Sequence, residues 1–372
     1  MKILHITTNL QIGGISSYIV MLAQGLKARG IDVYCASSGG ELVEELERYD
    51  IPFFQIPINT KNEFHPKLMC AVYRLVEIIN KYNITHIHAH TRIAQIVASY
   101  VQHFVRVSYV STCHGFFRKK PLRKIFPAWG DKIIAISDPI REHLVNDFKI
   151  PKQKIILIEN GIDSDCVDKR LNDYDKTELR KYYGLYDSNF VIGSVSKLEM
   201  TKGYQFLIRA MPHILIAYPK TKCVLIGEGK YKKKLVKLAR KLKVENNVLF
   251  PGKLKDVSFF LQMIDLFVLP PIWAEGFGLS ILEAMAFAKP IVATNIGSVY
   301  NLVKEGENGL LVPSGDERAL SEAIIYLTQN PELLEQMSRK SLQIAKNEFS
   351  LDVWLNKMIA LYKTLSEDDK SA

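Results

Sequence analysis

The chain has 372 residues, more than one hydrophobic core usually supports, so two domains of roughly 150–180 residues each are expected. Hydrophobic residues make up 48% and charged residues 24%, which excludes wholesale disorder, and no apolar run approaches the ~18 residues of a membrane-spanning helix. A net charge of +10 points to an anionic partner, whether nucleic acid, a phospholipid surface or a phosphorylated substrate.

MKILHITTNL is too short and too threonine-rich for a signal peptide, and residues 2–8 read as a first strand. A Gly13-Gly14 turn leads into a helix carrying Ile19, Leu22, Ala23 and Leu26 on its apolar stripe, closed by Gly30. The glycine pair is either a tight turn or a place where backbone approaches a ligand, since no Cβ intervenes. It lacks the G-x-G-x-x-G dinucleotide fingerprint, which disfavours a nicotinamide oxidoreductase. Strand, helix and strand alternate onward through 31–40, 41–51 and 51–58, and the helical period of 65–83 follows. Five cysteines (Cys35, Cys70, Cys113, Cys166 and Cys223) form no C-x-x-C pair, which argues for reduced thiols in the cytoplasm.

ITHIHAHT (84–91) places His86, His88 and His90 on one face of a strand, because side chains alternate with period two. Three histidines suggest a metal, yet no H-E-x-x-H or further Cys/His group completes a set, so no metal is expected. VSYVSTCHG (107–115) ends in His114, which suits a hydrogen-bonded structural role as well as a functional one. In FFRKKPLRKIFPAWG (116–130), Arg118, Lys119, Lys120, Arg123 and Lys124 alternate with aromatic and aliphatic residues. That composition fits an anionic membrane surface met through 116–129, or a solvated basic face; nucleic acid has the weakest claim. DKIIAISDPIREHLVNDF gives a strand and a helix capped at Ser137-Asp138-Pro139, and KIILIENGID the strand closing the first domain.

The first domain is therefore expected over 1–168, a polar linker over 169–189, a second domain over 190–349 and a terminal helix over 350–372. In the second domain the strand FVIGSVS is followed by a loop holding Lys197 and Lys202, with Gly203 entering a helix. KCVLIGEGKYKKKLVKLARKLKV is strand, turn and a basic helix whose lysines face outward, and NNVLFPGKL is the next strand and turn. IDLFVLPPIW, EGFGLSILEAMAFAKPIVAT (275–294) and the run to Gly297 make strand, loop, helix, strand, which sets a loop at the carboxyl end of a parallel strand. Phe277-Gly278-Leu279 opens the helix, whose free N–H groups suit a phosphate. Glu275 and Glu283 are eight apart, about two turns, so both are expected near one side of that helix.

EGFGLSILEAMAFAKPIVATNIG with its E-x₇-E spacing resembles the signature of the retaining nucleotide-sugar glycosyltransferases of family four. Gly13-Gly14, His114, Lys197 with Lys202, and NGLLVPSGD stand in the same order as in that family, so the likeness runs over nearly the whole chain. It implies the GT-B fold: α/β, two Rossmann-like lobes facing across an interdomain cleft, with the last helix returning to the first lobe. It also implies a donor site of Gly13, Gly14, Lys197, Lys202, Leu254, Phe277, Gly278, Leu279 and Glu283, with Lys253 a weak addition. In the family the two cations clamp the diphosphate, the second glutamate binds ribose and the first the donor sugar.

His114, Glu275 and Lys202 are then the catalytic candidates, and His90, Arg118 and Lys119 lie on the acceptor side. Two departures are visible: lysine stands at 197 where the family has arginine, losing the bidentate fork, and Val299-Tyr300-Asn301 replaces a Pro-Glu after the glycines. The implied reaction moves a sugar from a nucleoside-diphosphate sugar such as a UDP- or GDP-sugar to an acceptor hydroxyl, with retention, in cell-surface polysaccharide, lipopolysaccharide or glycolipid assembly. No D-x-D motif stands in a suitable loop, so no metal or other cofactor is expected, and the partners are the donor and a glycan or lipid-linked acceptor. A cytoplasmic enzyme, peripheral on the inner face of the membrane, fits this reading. A nucleotide-sugar epimerase of the same fold and a non-catalytic nucleotide-sugar or membrane-binding module are the competing functions.

Overall fold

The computed structural model describes every residue except 120–122, 124, 164–175, 255 and 372. The chain divides into two compact units, residues 1–161 with 351–372, and residues 162–350. Each is an all-parallel sheet covered by helices, the arrangement that buries near-continuous apolar strands on both faces.

The first sheet has seven strands: β1 (Lys2–Ile6), β2 (Asp32–Ser37), β3 (Phe53–Gln55), β4 (His86–Ala89), β5 (Ser108–Cys113), β6 (Lys132–Ala135) and β7 (Ile155–Leu157). Their order is β3-β2-β1-β4-β5-β6-β7, so the winding direction reverses between β1 and β4. The two-residue period sorts β1 cleanly. Leu4 and Ile6 face a core shared with Leu75, Ile79, Ile93 and Val97, whereas Ile3 faces Tyr18, Leu22, Trp354, Leu355 and Tyr362. The helix Leu351–Ser371 thus forms part of the first unit's core although it is last in sequence: Trp354 is 1% exposed.

The second sheet has six strands: β8 (Val191–Val195), β9 (Lys222–Ile226), β10 (Val248–Gly252), β11 (Leu266–Leu269), β12 (Ile291–Thr294) and β13 (Gly309–Val312). The order β10-β9-β8-β11-β12-β13 reverses between β8 and β11.

The boundary falls at Gly161, not at 168. Residues 164–175, including 169–175 of the expected linker, lie outside the described residues. The remainder of that span is folded: Lys176–Tyr182 is a helix in the second unit. Its Arg180 is buried, donating to Asp265 Oδ2 at 2.7 Å and to the Met263 carbonyl at 2.9 Å. A charged, weakly periodic segment conceals this, because the anchoring contacts are ion pairs from Lys176 and Arg180 to Asp265 rather than an apolar stripe.

Candidate functional site

In open parallel sheets ligands collect beyond the carboxyl ends of strands where the winding reverses. In the second unit those strands are β8 and β11, and the loops leaving them carry the lysines and Glu275. Lys202 closes a short 3-10 turn, Met200–Lys202, ahead of the helix Tyr204–Ala217. Gly203 makes the close approach possible: its φ is 71°, and a Cβ there would lie 1.7 Å from the Pro270 carbonyl oxygen. The Ile272 amide donates to the Thr201 carbonyl at 2.9 Å, tying the two loops together. Lys202 Nζ consequently reaches Glu275 Oε2 at 2.6 Å, with the two side chains 25% and 18% exposed.

Glu275 is itself fixed from behind. Gly297 has φ 64°, and a Cβ at that position would sit 2.4 Å from the Glu275 carbonyl oxygen. The Ser298 amide and hydroxyl both donate to that oxygen, at 3.1 and 3.0 Å. Lys197 differs: it is exposed and, among the described residues, has no ion-pair partner.

The helix expected here is Leu279–Ala286, with Gly278 as its N-cap at φ 93°. Glu275 therefore lies in the loop before the helix, and the two-turn arithmetic relating it to Glu283 does not hold; its position comes from Gly297 and Ser298 instead. Phe277 is 2% exposed and meets Phe349 edge-on at 5.9 Å, so its ring belongs to the core. Leu279 and its helix start stay half-open. Glu283 has its carboxyl pushed up to about 7, first by burial and then by the Asp256 charge. Leu254 is half-buried and Lys253 exposed, just beyond β10.

In the first unit, Gly13 caps the helix Gly14–Ala28. Neither glycine is demanded by the chain itself: Gly13 has an extended φ of 164°, and a Cβ on Gly14 would meet nothing within 4 Å. The helix start therefore faces open space. His114 follows β5, half-buried, with Tyr18 edge-on at 4.7 Å. His90 is 2% exposed and has both ring nitrogens occupied, Nε2 by His5 Nδ1 at 3.0 Å and Nδ1 by His114 Nε2 at 3.2 Å. Its side chain is thus interior rather than presented to an acceptor.

His88 bonds Thr112 Oγ1 and the Tyr362 hydroxyl, each at 2.6 Å, and His86 bonds the Tyr362 carbonyl at 2.9 Å. His5 was not among the sequence candidates. It lies on β1 opposite His88, a pairing that only the sheet register reveals. His5, His88 and His90 offer nitrogens within 4.8 Å of one another. His5 Nδ1 and His90 Nε2 already bond each other at 3.0 Å, and both nitrogens of His88 are engaged by Thr112 and Tyr362.

Of the basic-aromatic segment, Lys120, Leu122 and Lys124 lie outside the described residues. Its described aromatics turn inward: the buried Arg123 guanidinium stands 3.9 Å from the centre of Phe117 and 5.0 Å from that of Trp129, and burial lowers its pKa to about 10. Arg118 and Lys119 are exposed, Lys119 pairing with Asp147 at 2.7 Å, and Ile125 is 80% exposed.

The family model Glycosyltransferase Family 4 matches residues 12–165, and Glycosyl transferases group 1 matches residues 175–343. Over 98% of both chains, this protein is 25% identical to N-acetyl-alpha-D-glucosaminyl L-malate synthase of Bacillus anthracis. It is 26% identical to the capsular polysaccharide biosynthesis glycosyltransferase CapM of Staphylococcus aureus, over 93% of each. Among solved structures, HepE of Anabaena in complex with UDP and glucose superposes with a TM-score of 0.85 at 25% identity, covering 99% of this chain and 100% of that one.

Proposed function

Since the chain belongs to the glycosyltransferases of family four, we propose that it transfers a sugar, with retention, from a nucleoside-diphosphate sugar to a hydroxyl of a glycan or lipid-linked acceptor. The observation that carries this reading is the Lys202–Glu275 pair, held at 2.6 Å where the second sheet reverses and beside the start of the helix Leu279–Ala286. A solved relative bound to UDP and glucose, and a relative named for capsular polysaccharide synthesis, support the donor class and the assembly role.

The chemistry is a problem of charge. As the anomeric C–O bond breaks, a third negative charge gathers on the departing diphosphate, and preorganised donors stabilise it best. Lys202, the exposed Lys197 and the free amides at the Leu279 helix start counter that charge without a divalent metal. Glu275 keeps Lys202 aimed and faces the donor sugar, while Glu283 accepts hydrogen bonds from the ribose hydroxyls in its ionised form. Leu254 lies toward the base. The acceptor oxygen attacks the anomeric carbon on the face the diphosphate leaves, and its proton passes to a phosphate oxygen; one C–O bond forms as one breaks, and configuration is kept. In the first unit, the helix start at Gly13-Gly14 is the candidate for binding the diphosphate and His114 for binding the sugar and acceptor. Arg118 and Lys119, with the exposed Ile125, are the contact for an anionic membrane surface on the cytoplasmic side.

Thermal shifts with a panel of nucleoside diphosphates and nucleotide-sugars identify the donor, because a ligand of the native state raises apparent stability. NMR of the product then reads the anomeric configuration. Retained configuration and turnover that survives a chelator are expected. Inversion, metal-dependence, or an epimerised donor formed without acceptor would overturn the proposal.

A further inference from the structure

β1, β4 and β5 lie side by side, so the two-residue period sets His5, His88, His90 and the residue after β5 along one face. That face packs against Tyr18 and the terminal helix, so His5, His88 and His90 are cut off from water, while His114 at its outer end is half-buried. Burial holds His5 and His114 at a pKa of about 3, and drives His88 and His90 well below the ordinary histidine value. All four are neutral at physiological pH, and a neutral imidazole has one N–H and one lone pair.

Neutrality gives the His5–His90–His114 chain a direction. The links run His5 Nδ1 to His90 Nε2 at 3.0 Å and His90 Nδ1 to His114 Nε2 at 3.2 Å. His90 donates through one nitrogen and accepts through the other, so both links point the same way. If they point inward, His5 Nε2 must carry a hydrogen, yet that atom is buried without a partner. A buried N–H without an acceptor is among the rarest arrangements in folded proteins. If they point outward, His5 Nδ1–H donates to His90, His90 Nδ1–H donates to His114 Nε2, and only a lone pair is left bare. His114 must then carry its hydrogen on Nδ1, the one nitrogen of the chain's outer end that is neither hydrogen-bonded nor among the buried atoms.

We propose that His5 and His90 are positioning residues whose buried hydrogen-bond chain locks His114 as its Nδ1–H tautomer, making it a fixed, neutral donor to an oxygen of the sugar or acceptor. On this assignment His114 hydrogen-bonds the ligand and does not remove its proton. The assignment of the ligand rests on the glycosyl-transfer reading; the tautomer does not.

The test is long-range ¹H–¹⁵N NMR of the full chain labelled at histidine, with His114→Gln identifying the His114 signals. A pyrrole-type shift at His114 Nδ1 and a pyridine-type shift at Nε2 are expected, with Nδ1 moving when the nucleotide-sugar found by the thermal-shift panel is added. His5→Phe removes the first donor and is expected to shift His114 toward Nε2–H and to lower kcat about tenfold, the scale of one hydrogen bond. His5→Asn, which can donate again, is expected to restore both. Nε2–H in the wild-type protein overturns the chain whatever the activity, even where His5→Phe does not fold. Zinc co-purifying at one equivalent overturns it in favour of a metal site. The expected tautomer with no Nδ1 response to a bound nucleotide-sugar overturns the ligand assignment alone.

Discussion

The loops of the second unit and the histidine face of the first handle polarity in opposite ways. Around Lys202 and Glu275, full charges are kept partly exposed and braced by backbone contacts at Gly203 and Gly297. Around His90, burial strips charge away, and order comes from hydrogen-bond direction among neutral rings. The first design suits a ligand arriving with negative charge, because a lysine partly shielded from solvent attracts an anion more strongly than one in bulk water. The second suits discrimination among neutral hydroxyls, where a fixed donor selects geometry without attracting ions.

The largest expected effect concerns the core behind the histidines. Trp354, 1% exposed and edge-on to Tyr18 at 4.8 Å, closes that face. Trp354→Ala should cost about 3–5 kcal/mol in the unfolding transition of the first unit, followed by calorimetry. Nucleoside diphosphate should still stabilise the second unit, and its failure to do so would break the separation drawn here. Next, Lys202→Ala is expected to lower kcat about 10²-fold, the scale of losing one charge-stabilising donor. Steady-state kinetics on a normally folded variant check this, and near wild-type turnover would remove the role. Lys197, exposed and unpaired among the described residues, should matter less: Lys197→Ala should weaken donor binding about fivefold at low salt, and the difference should shrink as salt rises.

A pH-dependent effect sharpens the role of Glu283. Its carboxyl titrates at about 7 in the folded chain against the usual 4.5. The native state therefore binds the proton more tightly than the unfolded one, so this contribution to stability is complete below 4.5 and lost as pH rises through 7. Glu283→Gln should flatten that slope, giving a Tm a few degrees above wild type at pH 8 and little difference at pH 4.5. Donor binding in the wild type should strengthen as pH rises through 7, and Glu283→Gln should abolish that dependence; titration calorimetry across the range reads both.

Much of this was legible in the chain. The strand–helix alternation and the glycine before Leu279 follow from period and turn chemistry, which are local. The family likeness named the right class, as the matches to both halves show. What escaped reading was set by neighbours distant in sequence. His5 joins His90 only because β1 and β4 are paired, 85 residues apart. Glu275 takes its position from Gly297 and Ser298, so a helical count from Glu283 misplaces it. Arg123 and Trp129 have an interfacial composition, but the aromatic cage that turns them inward includes Phe148, another element's residue. The span after 175 read as linker because Arg180 anchors it by charge.

The central claim is that the second unit supplies charge to the diphosphate and the first supplies neutral hydrogen bonds. It is tested most directly by the ratio of affinities for a nucleoside diphosphate and the matching monophosphate, measured by calorimetry in wild type, Lys202→Met and His114→Gln. A preference for the diphosphate that Lys202→Met collapses and His114→Gln leaves intact is the predicted result. An unchanged ratio in Lys202→Met, or an equal loss in His114→Gln, would contradict it.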